Sequence, residues 1–122
     1  MTGEPPRAPT TGHPPRDDAD APLVVLCTAP GPEEAGALAR GLVDTRLAAC
    51  VQIVPNVRSI YRFEGVVHDE PEAQLVIKTR RGRYAALEAW LVEHHPYAVP
   101  ELLALPVERG LEAYVSWLCA ET

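Results

Sequence analysis

Two histidines in succession, His94-His95, followed by Pro96-Tyr97 and then by Pro100-Glu101, are the richest concentration of chemically capable side chains in this sequence. Imidazole and thiolate together suit copper or zinc, and Cys27 is the thiolate candidate. Adjacent helical side chains diverge by about 100°, so His94 and His95 share one ion only if the helix end unwinds. A structural reading competes at each position. His94 falls on the apolar stripe of its helix, the helix dipole favours a histidine at a C-terminus, and a cysteine in an apolar strand packs as a small hydrophobe. A looser set comprises Tyr61, Lys78, Glu101 and Trp117. Polar groups among apolar strand residues need partners when buried. Lys78 and Glu101 are therefore read either as a structural ion pair or as the lining of a crevice between subunits. His13 and His68 receive no role.

Signatures of catalysis are missing from the sequence. It has no Gly-rich phosphate loop and no nucleophile elbow, and no His-x-x-x-His or Cys-x-x-Cys spacing. The expectation is a binding protein and not an enzyme. The net charge of -6 argues against nucleic acid as a partner, since phosphate binding needs a basic face; Arg80, Arg81 and Arg83 are the one basic cluster. No apolar run approaches the roughly 20 residues of a membrane helix. The three cysteines are odd in number and widely spaced, which argues against a disulfide framework. With a polar, Pro-rich N-terminus that lacks a signal-peptide core, this predicts a cytoplasmic protein.

The elements that must position these residues follow from hydrophobic periodicity. Six prolines fall within the first 22 residues, and almost no large apolar side chain precedes Leu23. Residues 1–21 are therefore expected to be a disordered tail, leaving 22–122 as the single folded domain. Leu23 to Cys27 is a continuous apolar strand, expected to be buried on both faces. Gly31-Pro32-Glu33-Glu34 opens a helix with Ala35, Leu38, Ala39, Leu42 and Val43 on its apolar face. Ala48 to Phe63 reads as a long strand with a bend or bulge at Pro55. Glu64-Gly65 is a two-residue turn, and Val66 to Thr79 is the returning strand. A second helix runs from about Gly82 to His94, with Tyr84, Leu87, Leu91 and His94 on one stripe, and Pro96 stops it. Glu101 to Val107 forms a last strand. A terminal helix carries Leu111, Tyr114, Val115 and Leu118. The order βαββαβ plus a helix is the split-βαβ, ferredoxin-like α+β arrangement. In that topology Cys27 and the His94-His95 pair lie at the same end of the fold.

Two features predict self-assembly. Both main helices cover one face of such a sheet, yet the strands at 23–27 and 101–105 are apolar on both faces, so the second face needs a cover. Val51 to Phe63 would also extend about 43 Å at about 3.3 Å per residue, against a radius of gyration of about 13 Å for a domain of this size. The hairpin is expected to overhang its own body and pair with a neighbour.

At this point the sequence resembles the CutA family of divalent-cation tolerance proteins, over nearly all of Leu23 to Cys119. The matching segments are Val24-Val25-Leu26-Cys27-Thr28-Ala29-Pro30, Leu47-Ala48-Ala49-Cys50-Val51 and Ser59-Ile60-Tyr61. Further along come Gly65, Lys78-Thr79, His94-His95-Pro96-Tyr97, Pro100-Glu101-Leu102, Leu105-Pro106-Val107, and Tyr114 with Trp117. Phe63 departs from the Trp that the family commonly carries before the hairpin turn, and the Pro-rich tail lies outside the resemblance. The resemblance implies a homotrimer with long hairpins paired between subunits, and copper or another divalent ion held by Cys27, His94 and His95 in support of metal tolerance. Two other classes stay open: a signalling or small-molecule-binding module like the PII-type trimers, and a ligand-free assembly scaffold. Against the first, the hairpin closes on Glu64-Gly65 and leaves no signalling loop.

Overall fold

A computed structural model describes residues 18–122. The expected tail falls outside the described residues up to position 17; Asp18–Asp20 form a 3-10 turn that leads directly into the first strand. Seven elements follow: β1 (Pro22–Ala29), α1 (Pro32–Asp44), β2 (Cys50–Phe63), β3 (Val66–Arg80), α2 (Arg81–His94), β4 (Leu103–Pro106) and α3 (Glu112–Ala120). The strands make one antiparallel sheet in the order β2-β3-β1-β4, the ferredoxin-like arrangement that the element order predicts.

The main core lies on one face of this sheet. Side chains alternate across a strand, and Leu23, Val25, Cys27 and Ala29 of β1 join Ala73, Leu75 and Ile77 of β3 beneath the helices. Helix α1 contributes Ala35, Leu38, Ala39 and Leu42; α2 contributes Leu87 and Leu91. Val43, assigned to the apolar stripe from its spacing, lies at its margin and is 42 % exposed. Thr79 is fully buried because its Oγ1 donates to the Leu47 carbonyl at 2.8 Å, which satisfies a hydroxyl that would otherwise be costly to bury. Gly41 lets the Trp90 indole lie against α1; a Cβ there would overlap the ring.

The opposite face is only partly covered. Across the paired registers it presents Val24 and Leu26 of β1, Val76 and Lys78 of β3, Gln52 of β2, and Leu103 and Leu105 of β4. The odd-numbered β1 side chains are buried while Val24, Leu26 and Thr28 are half-buried, so within one chain β1 is buried on one face rather than two. Leu103 and Leu105 are 59 % and 49 % exposed. Helix α3 covers one end of this face, where Arg80 Nε and Nη2 donate to Thr122 Oγ1 and O, both at 3.0 Å. Its Val115 and Leu118 are buried. Strand β4 is shorter than the 101–107 run expected: residues 101–102 precede its first pair and the paired register ends at Pro106, with the Val107 N–H still donating to the Pro22 carbonyl at 3.2 Å.

Strands β2 and β3 run far beyond their neighbours. The β1–β3 ladder ends at Ala29 and Ala73, while β2 and β3 continue together to Phe63 and Val66. The chain reverses at Glu64 (φ 50°) and Gly65 (φ 77°). Positive φ at both central residues is the hairpin turn whose twist matches its strands. The register slips between Val54 and Val57, so Pro55-Asn56 is a bulge at the base of the overhang, as Pro55 implies. The resulting two-stranded arm exposes Ile60, Tyr61, Phe63, Val66 and Val67. The Arg58 guanidinium clasps Asp69 across it at 2.8 and 2.6 Å.

Candidate metal-binding region

Helix α2 ends at His94, and His95 is already extended at φ -74°, ψ 140°, the conformation that a following proline imposes. That switch sends the adjacent imidazoles in different directions. The His94 ring is exposed and stacked on Trp90, with centroids 4.1 Å apart and planes within 13°, and its Nδ1 lies 2.8 Å from the Trp90 carbonyl. Nδ1 therefore carries the proton, and Nε2 faces outward with its lone pair unused. The stripe assigned from helical spacing thus stops at Leu91, one turn before His94.

His95, by contrast, is 8 % exposed. Its Nδ1 accepts the Tyr97 backbone N–H at 3.0 Å, so the proton sits on Nε2, which donates to the Thr28 carbonyl at 2.7 Å. Both ring nitrogens are spent on fixing the 95–97 turn to the end of β1.

The Cys27 thiol points into the core with no exposed surface and donates weakly to that same Thr28 carbonyl at 3.6 Å. Burial first, and then the negative field of Glu101, push its pKa from 9.0 up to about 12; Glu72 adds to this, and the polar Thr28 backbone opposes it. A cysteine must lose its proton to bind a metal, and every large influence here retains it.

The fold therefore brings Cys27 and His95 to one carbonyl at the end of β1, as the topology predicts, and turns His94 away from both. Among the described residues, no group of three or more His, Cys, Asp or Glu side chains converges on a common point. These three residues do not fit a shared three-ligand ion within one chain. What they supply is one open imidazole nitrogen, His94 Nε2, beside a closed Cys27–Thr28–His95 contact.

The looser set is also dispersed. Lys78 donates to Gln52 Oε1 at 3.0 Å, on the open face, and Glu101 is not its partner. Tyr61 stands on the arm, where its hydroxyl donates to Glu70 at 3.2 Å and its ring stacks on His68 with centroids 5.1 Å apart. Trp117 packs on Tyr114 and lines a hollow of about 430 Å³ with Val43, Arg46, Ala48 and Glu121. One group escaped the sequence reading. The Tyr97 hydroxyl donates to Glu72 at 2.8 Å, which ties the post-α2 turn to the base of the arm. Burial, reinforced by that bond, raises the Tyr97 pKa. Tyr97 stands out beside the histidines, but Glu72 carries no sequence signal except its place just before the bulge partner.

Comparison with known proteins agrees with this architecture. A sequence model of the family described as CutA1 divalent ion tolerance protein matches residues 23–121. The divalent-cation tolerance protein CutA of Pectobacterium atrosepticum is 45 % identical over 106 residues, covering 84 % of this chain and 96 % of that protein. The protein of that name from Yersinia pestis is 45 % identical over 98 residues, 80 % of this chain and 82 % of its own. Among solved structures, the divalent cation tolerance protein of Thermus thermophilus superposes with a TM-score of 0.81 at 44 % identity, covering 83 % of this chain and 98 % of that one. CutA1 of Oryza sativa gives 0.83 at 39 %, covering 87 % and 97 %. With the matched residues spanning the whole sheet and all three α-helices, the chain belongs to the CutA1 divalent ion tolerance family.

Proposed function

We propose that the protein is a homotrimeric, non-enzymatic divalent-cation-binding protein of metal tolerance, with copper as its first candidate cation. The observation that carries the assembly is the arm. It extends past its own sheet with Ile60, Phe63, Val66 and Val67 each more than half exposed, beside an open face that offers Leu103 and Leu105. Apolar surface and unpaired edges of this kind call for a matching copy. A heterologous contact that closes as a ring gives each copy the same environment. Assembly is also what would bring Tyr61, Lys78, Glu101 and Trp117 together, since one chain holds them apart.

For the metal, support lies in family membership and in the open Nε2 of His94. The ion engages His94 from outside, and Cys27 and His95 join only if the Thr28 contact opens. Copper titration with native mass measurement tests both halves in one sample. Wild type is expected at three chains per particle, with His94→Ala binding copper at least tenfold more weakly and Cys27→Ser binding like wild type. Equal affinity in all variants overturns the ligand assignment, and a single-chain mass overturns the trimer. Among the described residues no helix is long and apolar enough to cross a membrane. Cys27 and Cys50 are free thiols, which supports a reducing, cytoplasmic placement. The CutA of Archaeoglobus fulgidus is described as periplasmic, and cell fractionation decides which of the two placements this chain takes.

A further inference from the structure

Residues 18–21 precede the sheet, yet they are joined to it and to its helices at several points. The Arg81 backbone N–H donates to the Ala21 carbonyl at 2.8 Å. The Cys119 thiol donates to the Asp20 carbonyl at 3.3 Å. Arg80 Nη1 donates to the Ala19 carbonyl at 3.4 Å and lies 3.5 Å from Asp20 Oδ1. Arg81 Nε lies 3.6 Å from Asp18 Oδ1.

The seat is the start of α2, where unpaired N–H groups and the helix dipole favour negative charge. That helix has no acid in its first turn and no side-chain cap; it places Arg81 and Arg83 there instead. Asp18 and Asp20 supply the missing negative charge from another segment. Gly82 supplies the room. A Cβ at position 82 would stand 2.8 Å from Arg80 Nη1, 3.0 Å from the Ala19 carbonyl oxygen and 3.1 Å from the Ala19 Cβ. The residue lies inside a regular helix, so its backbone conformation does not require glycine. The close approach of Ala19 and of the Arg80 guanidinium favours it.

We propose that residues 18–21 are a detachable strap, seated on the start of α2 through the Gly82 notch and pinned by Arg80, that gates the positive charge of Arg80 and Arg81. Closed, it neutralises both guanidiniums. Open, it leaves Arg80 tied to Thr122 and turns the start of α2 into a basic surface. The strap opens before the fold does, because its Arg81–Asp18 pair is exposed (51 % and 91 %) and Asp20 of the Arg80 pair is 44 % exposed although Arg80 itself is 20 % exposed. Pairs open to solvent are weak and screened by salt. Segments with few buried contacts lie at the low end of local stability.

Hydrogen exchange on the full chain tests this, read at the Ala21 and Arg81 amides and at the centres of β1 and β3. Gly82→Ala and the double variant Asp18→Asn/Asp20→Asn are each expected to speed exchange at those two amides at least tenfold, with Val25 and Ile77 unchanged. Raising salt to about 1 M, where charges are screened beyond about 3 Å, is expected to do the same in wild type. Gly82→Ala keeps all charges and improves helix propensity, but its Cβ would crowd Arg80 Nη1 as well as Ala19, so it tests the seat as a whole while Asp18→Asn/Asp20→Asn tests the charge alone. Unchanged exchange at Ala21 and Arg81 in both variants overturns the strap. Parallel loss of protection in β1 and β3 overturns its independence from the fold, and insensitivity to salt overturns the charge gate.

Discussion

The Cys27 thiol lies at the end of β1 with no exposed surface, in the field of Glu101 and Glu72, and both conditions retain its proton. Its folded pKa is raised from 9.0 to about 12. The neutral thiol's contribution to stability is therefore complete below the unfolded value and is lost as pH rises through that window. Alkylation followed by peptide mass analysis is expected to modify Cys50, which is half-buried, well before Cys27 at pH 8 to 9. Comparable labelling of the two would show that Cys27 is accessible and ionised. Tyr97→Phe deletes the hydroxyl bond to Glu72 and is expected to lower stability by about 1 kcal/mol in urea unfolding, with little effect on copper affinity. At this scale the residue types were legible in the sequence and their directions were not. His94-His95-Pro96-Tyr97 announces a helix end, but which histidine turns inward depends on where the proline breaks the helix. That break leaves His94 on the Trp90 ring and drives His95 toward Thr28.

Among the elements, the hairpin turn is the sharpest test. Gly65 and Glu64 both hold positive φ, and Gly65→Ala places a Cβ in a left-handed conformation at a cost of about 1–2 kcal/mol. The expected result is a lower melting temperature with an intact core. An unchanged melting temperature would mean that the turn relaxes without consequence. Hydrophobic periodicity exposed α1, both long strands and the bulge, because each has a local signature: Pro32 with two acids, alternating Val and Ile, Pro55. Strand β1 was harder. Val24 and Leu26 are as apolar as Val25, and nothing in an unbroken apolar run says which face the chain's own helices will cover. Val43 failed for the complementary reason: it keeps the helical spacing but falls at the rim of the α1 contact.

For the molecule as a whole, folding and association are coupled if the arm and the open face find partners. The melting temperature is then expected to rise with protein concentration. Leu105→Glu, which puts a charge on the open face without touching the main core, is expected to reduce the particle mass. A mass and melting temperature independent of both changes would show that one chain stands alone. The sequence carried the need for a cover, through apolar residues on the uncovered face and a strand too long for its domain. It did not carry the strap, because Asp18-Ala19-Asp20 looks like the end of a polar tail. Its docking depends on an arginine 61 positions away and on the single hydrogen side chain of Gly82.

The bulge at Pro55-Asn56 gives the arm leverage. From Val57 to Phe63 the arm reaches about 20 Å at about 3.3 Å per residue, so a change of about 10° in the bend at the bulge would sweep its tip sideways by about 3.5 Å. That is most of the spacing between adjacent strands. Substitutions at two residues near the body would thus re-aim the tip by nearly one strand position without altering any side chain the tip presents. Lineages that vary Pro55 or Asn56 would change the geometry of their neighbours' contact before they change its chemistry.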